Sequence, residues 1–294
     1  MSKELMTASE CLIDSRVNFE VESTPVFDDD GDGVGDYRAI RRTDTKQVFQ
    51  IAKKSYQVVQ NSEAFSFFDE IVGSGQAKYD KASIYKGGGV VVLRAKVPHD
   101  FEVVPGDEVA TYLQLVNSHD GSKALSIVPQ VVRLVCTNGL TALRDQATRR
   151  VSCKHTISGK NRFVWNAQKV LGEERAYFAM FQEKCRKMAK EQFSKLEMDS
   201  FLATLLDLDG EKKISARRVG IVDDIRILAE EGVGQDIKGV RGTKWAAYNA
   251  VTEYVDNQRA TRESGNEEGN DREYSSLFGS GADLREKAFA YLTR

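Results

Sequence analysis

The sequence predicts an α+β protein, in which a β-rich N-terminal half of antiparallel hairpins is followed by a helical C-terminal half. Segments before residue 138, of which residues 17–27 are the first, alternate apolar and polar positions as half-buried strands do. Beyond Cys136 the apolar residues recur about every 3.6 positions, which is the period of an α-helix. All four prolines lie before residue 130, so none interrupts the helical half.

The N-terminal strands are predicted to pair as successive hairpins. The acidic run Asp28–Asp36 and the triplet Asp44-Thr45-Lys46 supply the first two turns. Ser62–Val72 is predicted to be a short helix with Ser62 as its N-cap. Gly87-Gly88-Gly89 and Asp120-Gly121-Ser122 then join two further strand pairs.

The last predicted strand contains Pro129, which indicates an edge position or a bulge because proline cannot donate to a sheet ladder. Residues 139–149 are expected to open the helical half, and Asn166–Phe193 to form its longest helix. The shorter helices are predicted over residues 199–206, 216–231, 243–259 and 283–292.

Three regions follow from this pattern, unless they form one integrated domain. They are a β-rich antiparallel region over residues 1–138, a helical region with a basic segment over 139–260, and a mobile acidic loop with a C-terminal helix over 261–294.

Composition excludes several classes of protein. The chain has 294 residues, 41% of them hydrophobic and 29% charged, so it can bury a core without disulfides or a structural metal. No stretch approaches the ~18 apolar residues of a membrane span, and the N-terminus lacks a signal-peptide pattern. The four cysteines are far apart with no CxxC pair. We therefore expect a cytoplasmic protein that binds no metal, cofactor or membrane.

Charge is distributed unevenly along the chain. The overall charge is −2, but residues 1–132 carry −6, residues 133–190 carry +9, and residues 191–294 carry −5. Such a concentration of cations suits a phosphate backbone, and aromatic rings beside cations can stack on bases. The basic segment begins at Arg133. The candidate nucleic-acid-binding residues are Arg149, Arg150, Lys154, Lys160, Arg162, Phe163, Trp165 and Lys187. The alternative is a solvated helix face whose charges pair with the acidic flanks.

A second candidate site is the glycine-rich loop that precedes a late helix. A helix N-terminus preceded by glycines can bind an anion through its free N–H groups. The candidate phosphate-binding residues are Gly239, Arg241, Gly242, Thr243 and Lys244. The spacing matches neither dinucleotide-binding nor P-loop fingerprints, so we favour an ordinary loop with Thr243 as N-cap over a phosphate site.

Patterns that would indicate an enzyme or a metal site are weak. The loop from Asp28 places acids at positions 1, 3, 5 and 9 of a calcium loop, but position 12 is Ala39 instead of glutamate. His119 precedes a glycine turn, and Cys153 and His155 are two residues apart in a loop, which is no nucleophile signature. The Asn249 and Glu253 pair is expected on a solvated helix face. We find no catalytic residues.

One segment resembles a known family. NSHDGSKALSIVPQVVRLVCTNGL, from Asn117 to Leu140, is similar to the phage/plasmid-like protein family that carries a domain of unknown function (number nine-three-two). YQVVQNSEAFSFFDEIV (Tyr56–Val72) and GTKWAAYNAVTEYVDNQR (Gly242–Arg259) support the resemblance, which implies no activity. A β-rich unit followed by helices also resembles, at the level of the fold alone, phage single-strand annealing proteins.

The resemblance and the charge pattern together lead to a functional hypothesis. We expect a non-enzymatic nucleic-acid-binding protein of a phage or plasmid, acting on single-stranded DNA in recombination or replication within the bacterial host cytoplasm. An exposed strand edge would allow association with further copies. The alternatives are a structural or host-interaction protein whose basic helix docks an acidic protein, and an enzyme that holds a phosphate in the glycine-rich loop.

Overall fold

The computed structural model describes residues 6, 10–11, 13, 16–73, 78–136, 139–140, 151–153, 155, 175–208, 214–259 and 271–294. Its N-terminal part contains two antiparallel sheets and its C-terminal part is mainly helical, as the sequence predicts. None of the helices in these ranges is long and apolar enough to cross a membrane.

The first sheet has three strands in the order β1-β2-β3. The strands are β1 (Val21–Phe27), β2 (Gly33–Arg42) and β3 (Val48–Lys53). Turns join them at both predicted places, but the acidic turn is shorter than predicted, because β2 already begins at Gly33. The Asp32 N–H closes this turn by donating to Asp28 Oδ1 at 2.8 Å. A helix, α1 (Asn61–Gly73), follows where the sequence predicts one, but the prediction of Ser62 as its N-cap is wrong, because the helix already includes Asn61 and the Ala64 N–H donates to the Gln60 carbonyl.

The second sheet has six strands, four of which form consecutive hairpins. They are β4 (Lys78–Tyr85), β5 (Val90–Glu102), β6 (Glu108–Ser118) and β7 (Leu125–Arg133). Two short strands, β8 (Gly139–Leu140) and β9 (Val151–Cys153), pair with opposite ends of β7. Pro129 lies between these two pairings and opposite Leu113 of β6, so within the described ranges no strand pairs with β7 on that side at its proline.

The helix predicted to open at Gly139 is wrong, because Gly139–Leu140 is strand β8. The pairing with Val131 and Val132, and a hydrogen bond of 2.9 Å from the Gly139 N–H to Asp256 Oδ2, satisfy this backbone without a helix. The division of the chain into three regions stays a prediction.

Six helices lie beyond the strands in the described ranges. They are α2 (175–190), α3 (Lys195–Leu205), α4 (Ala216–Glu231), α5 (Lys244–Glu253), α6 (Asp271–Phe278) and α7 (Ser280–Leu292). A π-helical turn, Tyr254–Gln258, extends α5. One hydrophobic cluster includes Val17 from the N-terminal part, Leu113 from the second sheet and Leu292 from α7, so sheets and helices share a core.

Helix α6 replaces part of the predicted acidic loop, most of which lies outside the described residues. Its Tyr274, Leu277 and Phe278 pack against a cluster that includes Tyr85 of the second sheet. Glu273 pairs with Lys81 at 2.5 Å. These are tertiary contacts, and the polar sequence around Glu273 gives no local sign of them.

Helix α5 is buried on every side, which overturns the prediction of a solvated face. Asn249 is 1% exposed and donates from Nδ2 to the Trp245 carbonyl at 2.8 Å. Glu253 accepts from the Val233 N–H at 3.1 Å, and burial raises the pKa of its carboxyl. Both polar side chains satisfy backbone groups around this central helix.

Candidate nucleic-acid interface

Seven of the eight residues in the predicted nucleic-acid-binding set lie outside the described residues. They are Arg149, Arg150, Lys154, Lys160, Arg162, Phe163 and Trp165. The eighth, Lys187, belongs to α2. Arg133, where the basic segment begins, is not a surface cation, because its side chain is fully buried against Asp107.

Helix α2 packs through its apolar stripe and directs cations outward. Phe178, Phe181, Cys185 and Met188 are buried along one side of the helix, at the spacing that an amphipathic helix requires. Arg175, Arg186, Lys187 and Lys190 are exposed on the remaining surface. The α2 surface is therefore both amphipathic and basic.

The glycine-rich loop approaches α5 through two left-handed backbone conformations. Gly239 has φ +92° and Gly242 has φ +76°, values that a side chain would strain. Thr243 then caps the helix, as predicted: its Oγ1 accepts from the Ala246 N–H at 3.2 Å and donates to the Val240 carbonyl at 2.6 Å. The two glycines therefore let the chain turn sharply into α5.

The structure brings Lys187 and the glycine-rich loop together at one residue, Glu191. Lys187 Nζ lies 3.7 Å from Glu191 Oε1, and Lys244 Nζ lies 2.5 Å from Oε2. The hydrogen bond from Lys244 lowers the pKa of Glu191. The backbones also pair, since the Phe193 N–H donates to the Gly242 carbonyl at 2.8 Å. Two basic stretches that are distant in sequence thus meet at one surface.

We call this surface the junction and define it by Arg186, Lys187, Lys190, Lys238, Arg241 and Lys244. Arg186 is held by a hydrogen bond of 3.0 Å from its Nε to the Glu102 carbonyl. Lys190, Lys238 and Arg241 are exposed and form no ion pair with any residue in the described ranges. Glu191 pairs with two of the six cations, and the other four have no carboxylate partner in the described ranges, so their charge is available to an anion.

The predicted phosphate-binding residues differ in what they can offer an anion. The Thr243 hydroxyl is engaged as both donor and acceptor, and the Lys244 ammonium is paired with Glu191. Arg241 is exposed beside Gly242, and its guanidinium donates to no residue in the described ranges, so its N–H groups are available to an anion. An anion at this loop would therefore meet Arg241 and the neighbouring Lys238 first.

A cavity of about 410 Å³ opens beside the junction, between α3, α4 and α5. Phe193, Met198 and Ala246 contribute apolar surface to its lining. Phe193 is half-buried and meets Phe201 edge-to-face, with ring centroids 6.0 Å apart. At the polar rim, Arg226 Nη2 lies 2.7 Å from Asp199 Oδ1. A cavity of this size can accept a planar ring system.

The segment around Asn117 that carries the family resemblance contributes to a buried cluster of polar side chains. The sequence patterns did not predict this cluster. Asn117 Nδ2 donates to Asn61 Oδ1 at 3.0 Å and to the Val59 carbonyl at 2.9 Å. His119 Nε2 lies 3.0 Å from the same Asn61 oxygen. Asn61 Nδ2 donates to the Val17 carbonyl, so its Oδ1 must accept and His119 Nε2 must carry the proton.

His119 is consequently a neutral structural donor. Burial, with a further contribution from the nearby His155, lowers the pKa of His119 from 6.5 to about 3. The ring also stacks on Phe49, with centroids 5.8 Å apart. The cluster therefore ties the end of β6 to α1. In the described ranges no group of three histidine, cysteine or carboxylate side chains is arranged to hold a metal ion.

Comparison with known proteins identifies a family. A sequence model described as Domain of unknown function (DUF932) matches residues 48–277, from the start of β3 nearly to the end of α6. No solved structure matches the chain. Because the family description names no activity, the chemistry of the site has to be inferred from its geometry.

Proposed function

The chain belongs to the DUF932 family, and we propose that it binds single-stranded nucleic acid, DNA in particular, at the junction. The observation that carries the proposal is the meeting of Lys187 and Lys244 at Glu191, which joins two basic stretches into one positive surface. A linear run of cations would not by itself produce such a patch.

The exposed cations suit a phosphate backbone. Lys190, Lys238 and Arg241 have no carboxylate partner among the described residues, so neutralising a phosphate would break no ion pair at these positions. Arg241 adds a planar fork of donors that can bind two phosphate oxygens at once. These residues supply affinity without selecting a sequence.

The cavity beside the junction supplies a site for a base. Phe193 presents a half-buried ring at the cavity wall, and stacking on such a ring tolerates every base. The preference for single strands follows from this arrangement, since a paired base cannot leave its stack to reach a recessed ring without a cost.

The rest of the basic segment extends the same proposal. Further phosphate contacts would come from the cations N-terminal to α2, and further stacking would come from the two aromatic residues in the same part of the basic segment. These residues are Arg149, Arg150, Lys154, Lys160, Arg162, Phe163 and Trp165.

The cellular setting is also proposed. The resemblance to phage- and plasmid-borne proteins favours recombination or replication of mobile-element DNA in the bacterial cytoplasm. Self-association through a strand edge would let copies bind adjacent stretches of one strand.

Fluorescence anisotropy with a labelled single-stranded oligonucleotide tests the proposal. We expect saturable binding at low salt, weakened in the variant Lys187→Gln/Arg241→Gln. The matched control, Lys46→Gln/Lys287→Gln, removes the same number of charges at exposed positions outside the junction and should bind like the wild type. Binding of a polyglutamate peptide without binding of the oligonucleotide would refute the proposal and favour an acidic protein partner.

A further inference from the structure

A second cavity, also of about 410 Å³, lies against the first sheet and is lined by residues with no assigned role. Its lining is Val21, Ser23, Arg38, Lys54, Tyr56, Gln57 and Val58. We propose that this cavity binds a phosphate group. The proposal is independent of nucleic-acid binding at the junction, because it concerns different residues.

The lining is rich in donors and contains no carboxylate. Arg38 and Lys54 are its two cations, and neither side chain has an ion pair or hydrogen bond within the described parts of the chain. The Ser23 hydroxyl and the Gln57 amide also have no side-chain partner there. Four side chains whose donor groups are not already bound to an acceptor can donate hydrogen bonds to the oxygens of a tetrahedral oxyanion.

Strand register places the two key donor side chains on one face of the sheet. Ser23 of β1 lies opposite Ile40 of β2, and Arg38 is two residues before Ile40, so Ser23 and Arg38 share a face. The Lys54 N–H donates to the Asp36 carbonyl at 2.8 Å, which holds the backbone of Lys54 beside β2.

The opposite wall is held rigidly by contacts to other elements. The Tyr56 hydroxyl donates to the Ser118 carbonyl at 3.0 Å, and its ring stacks on His155 with centroids 5.1 Å apart. The Gln57 N–H donates to the His155 carbonyl at 2.9 Å. Because the Tyr56 hydroxyl is committed to Ser118, ligand recognition falls to the four free donors. The anchored wall itself adds no ordering cost when a ligand binds, and the cost that remains is that of ordering the Arg38 and Lys54 side chains.

The cavity is larger than one phosphate, so it can also hold part of the molecule that carries it. Val58, which is half-buried, provides an apolar surface for that part. The phosphate could belong to a nucleic-acid strand or to a small phosphorylated molecule such as a mononucleotide. Both sources share the chemistry that Arg38 and Lys54 recognise.

Isothermal titration calorimetry with inorganic phosphate is the direct test. We expect wild-type protein to bind phosphate, and Arg38→Gln and Lys54→Gln each to weaken the affinity about tenfold or more, since each removes a charge-assisted hydrogen bond. Lys53→Gln is the matched control, because Lys53 is adjacent in sequence, exposed and absent from the lining. It should bind phosphate like the wild type.

Lys54 is exposed, so Lys54→Gln keeps the test valid even where the half-buried Arg38 is needed for folding. Two further arms identify the source. Displacement of phosphate by an unlabelled oligonucleotide, in a protein whose junction carries Lys187→Gln/Arg241→Gln, assigns the site to nucleic acid. Displacement of phosphate by deoxyadenosine monophosphate, but not by the oligonucleotide, assigns the site to a small molecule. Absence of phosphate binding at millimolar concentration, or an equal loss in Lys53→Gln, overturns the proposal.

Discussion

Arg133 holds Asp107 by two charge-assisted hydrogen bonds, 2.6 Å from Nε to Oδ1 and 3.0 Å from Nη2 to Oδ2, with both side chains fully buried. Arg133 also donates to the carbonyls of Val233 and Gly234, and Trp245 Nε1 donates to Asp107 Oδ2 at 2.8 Å. The pair therefore connects the second sheet to the chain that leads from α4 into the glycine-rich loop, and to α5, and this loop and α5 both carry part of the junction.

Breaking this pair should unfold the protein readily. Asp107→Asn leaves the Arg133 charge buried without its counterion, and we expect a loss of about 3–5 kcal/mol in the free energy of unfolding. Urea denaturation followed by circular dichroism measures it. The exposed pair of Asp199 with Arg226 is the control, since Asp199→Asn should cost at most about 1 kcal/mol. Equal losses in the two variants would contradict this account of the buried pair.

Gly234 should resist substitution for two reasons. Its φ is +77°, and a methyl group there would lie 2.7 Å from Val135 Cγ1 and 2.8 Å from Arg133 Nη2. We expect Gly234→Ala to lower the free energy of unfolding by about 1–3 kcal/mol. Gly33→Ala, which meets nothing within 4 Å, is the comparison for thermal melting. An unchanged melting temperature in Gly234→Ala would show that the loop is not held as described.

Stability should fall below neutral pH because of His119. The folded pKa of His119 is about 3 against 6.5 for the free side chain, so between these values the unfolded state binds the extra proton. The stabilisation is complete above pH 6.5 and is lost at about 1.4 kcal/mol per pH unit as the pH falls toward 3. Urea titrations between pH 7 and about 5 measure the slope, above the range of most carboxyl groups.

His119→Gln keeps a donor for Asn61 and removes the titrating ring. This variant should start from lower stability and show a shallower decline over the same pH range. A decline as steep as that of the wild type would assign the pH dependence to another group.

Phe193 should contribute stacking without contributing charge. Phe193→Leu keeps an apolar side chain in the cavity wall, so we expect a loss of about 1–3 kcal/mol in oligonucleotide binding and an unchanged salt dependence. Phe27→Leu, at a ring that is 63% exposed in the first sheet, is the control and should bind normally. A lower melting temperature with undiminished binding would make Phe193 a packing residue only.

Local chemistry made most of the β-rich half predictable. The turn at Asp44-Thr45-Lys46 and the glycines at 87–89 each join neighbouring strands, so alternation and turn residues suffice to find the hairpins. The Thr243 cap was predictable for the same reason, since its partner Ala246 is three residues away. Interactions between residues that are close in the sequence can be predicted from the sequence itself.

The features that the sequence did not predict depend on contacts between residues that are distant in the sequence. Strand β8 forms because β7 offers an edge and Asp256 an acceptor, and α6 forms against Tyr85 of the second sheet. At the junction, the pairing of Lys187 with Glu191 has helical spacing and could be anticipated. The pairing of Lys244 with Glu191 could not, because only the folded core brings these segments together.

The salt dependence of oligonucleotide binding tests the central claim most directly. For wild-type protein, the logarithm of the affinity should fall linearly with the logarithm of salt concentration, by about 0.7 for each phosphate neutralised. Lys187→Gln/Arg241→Gln should flatten this slope by about 0.7 for each phosphate contact that is lost, whereas Lys46→Gln/Lys287→Gln should keep it. A wild-type protein that binds no oligonucleotide at low salt, or a junction variant with the wild-type slope, would contradict the account.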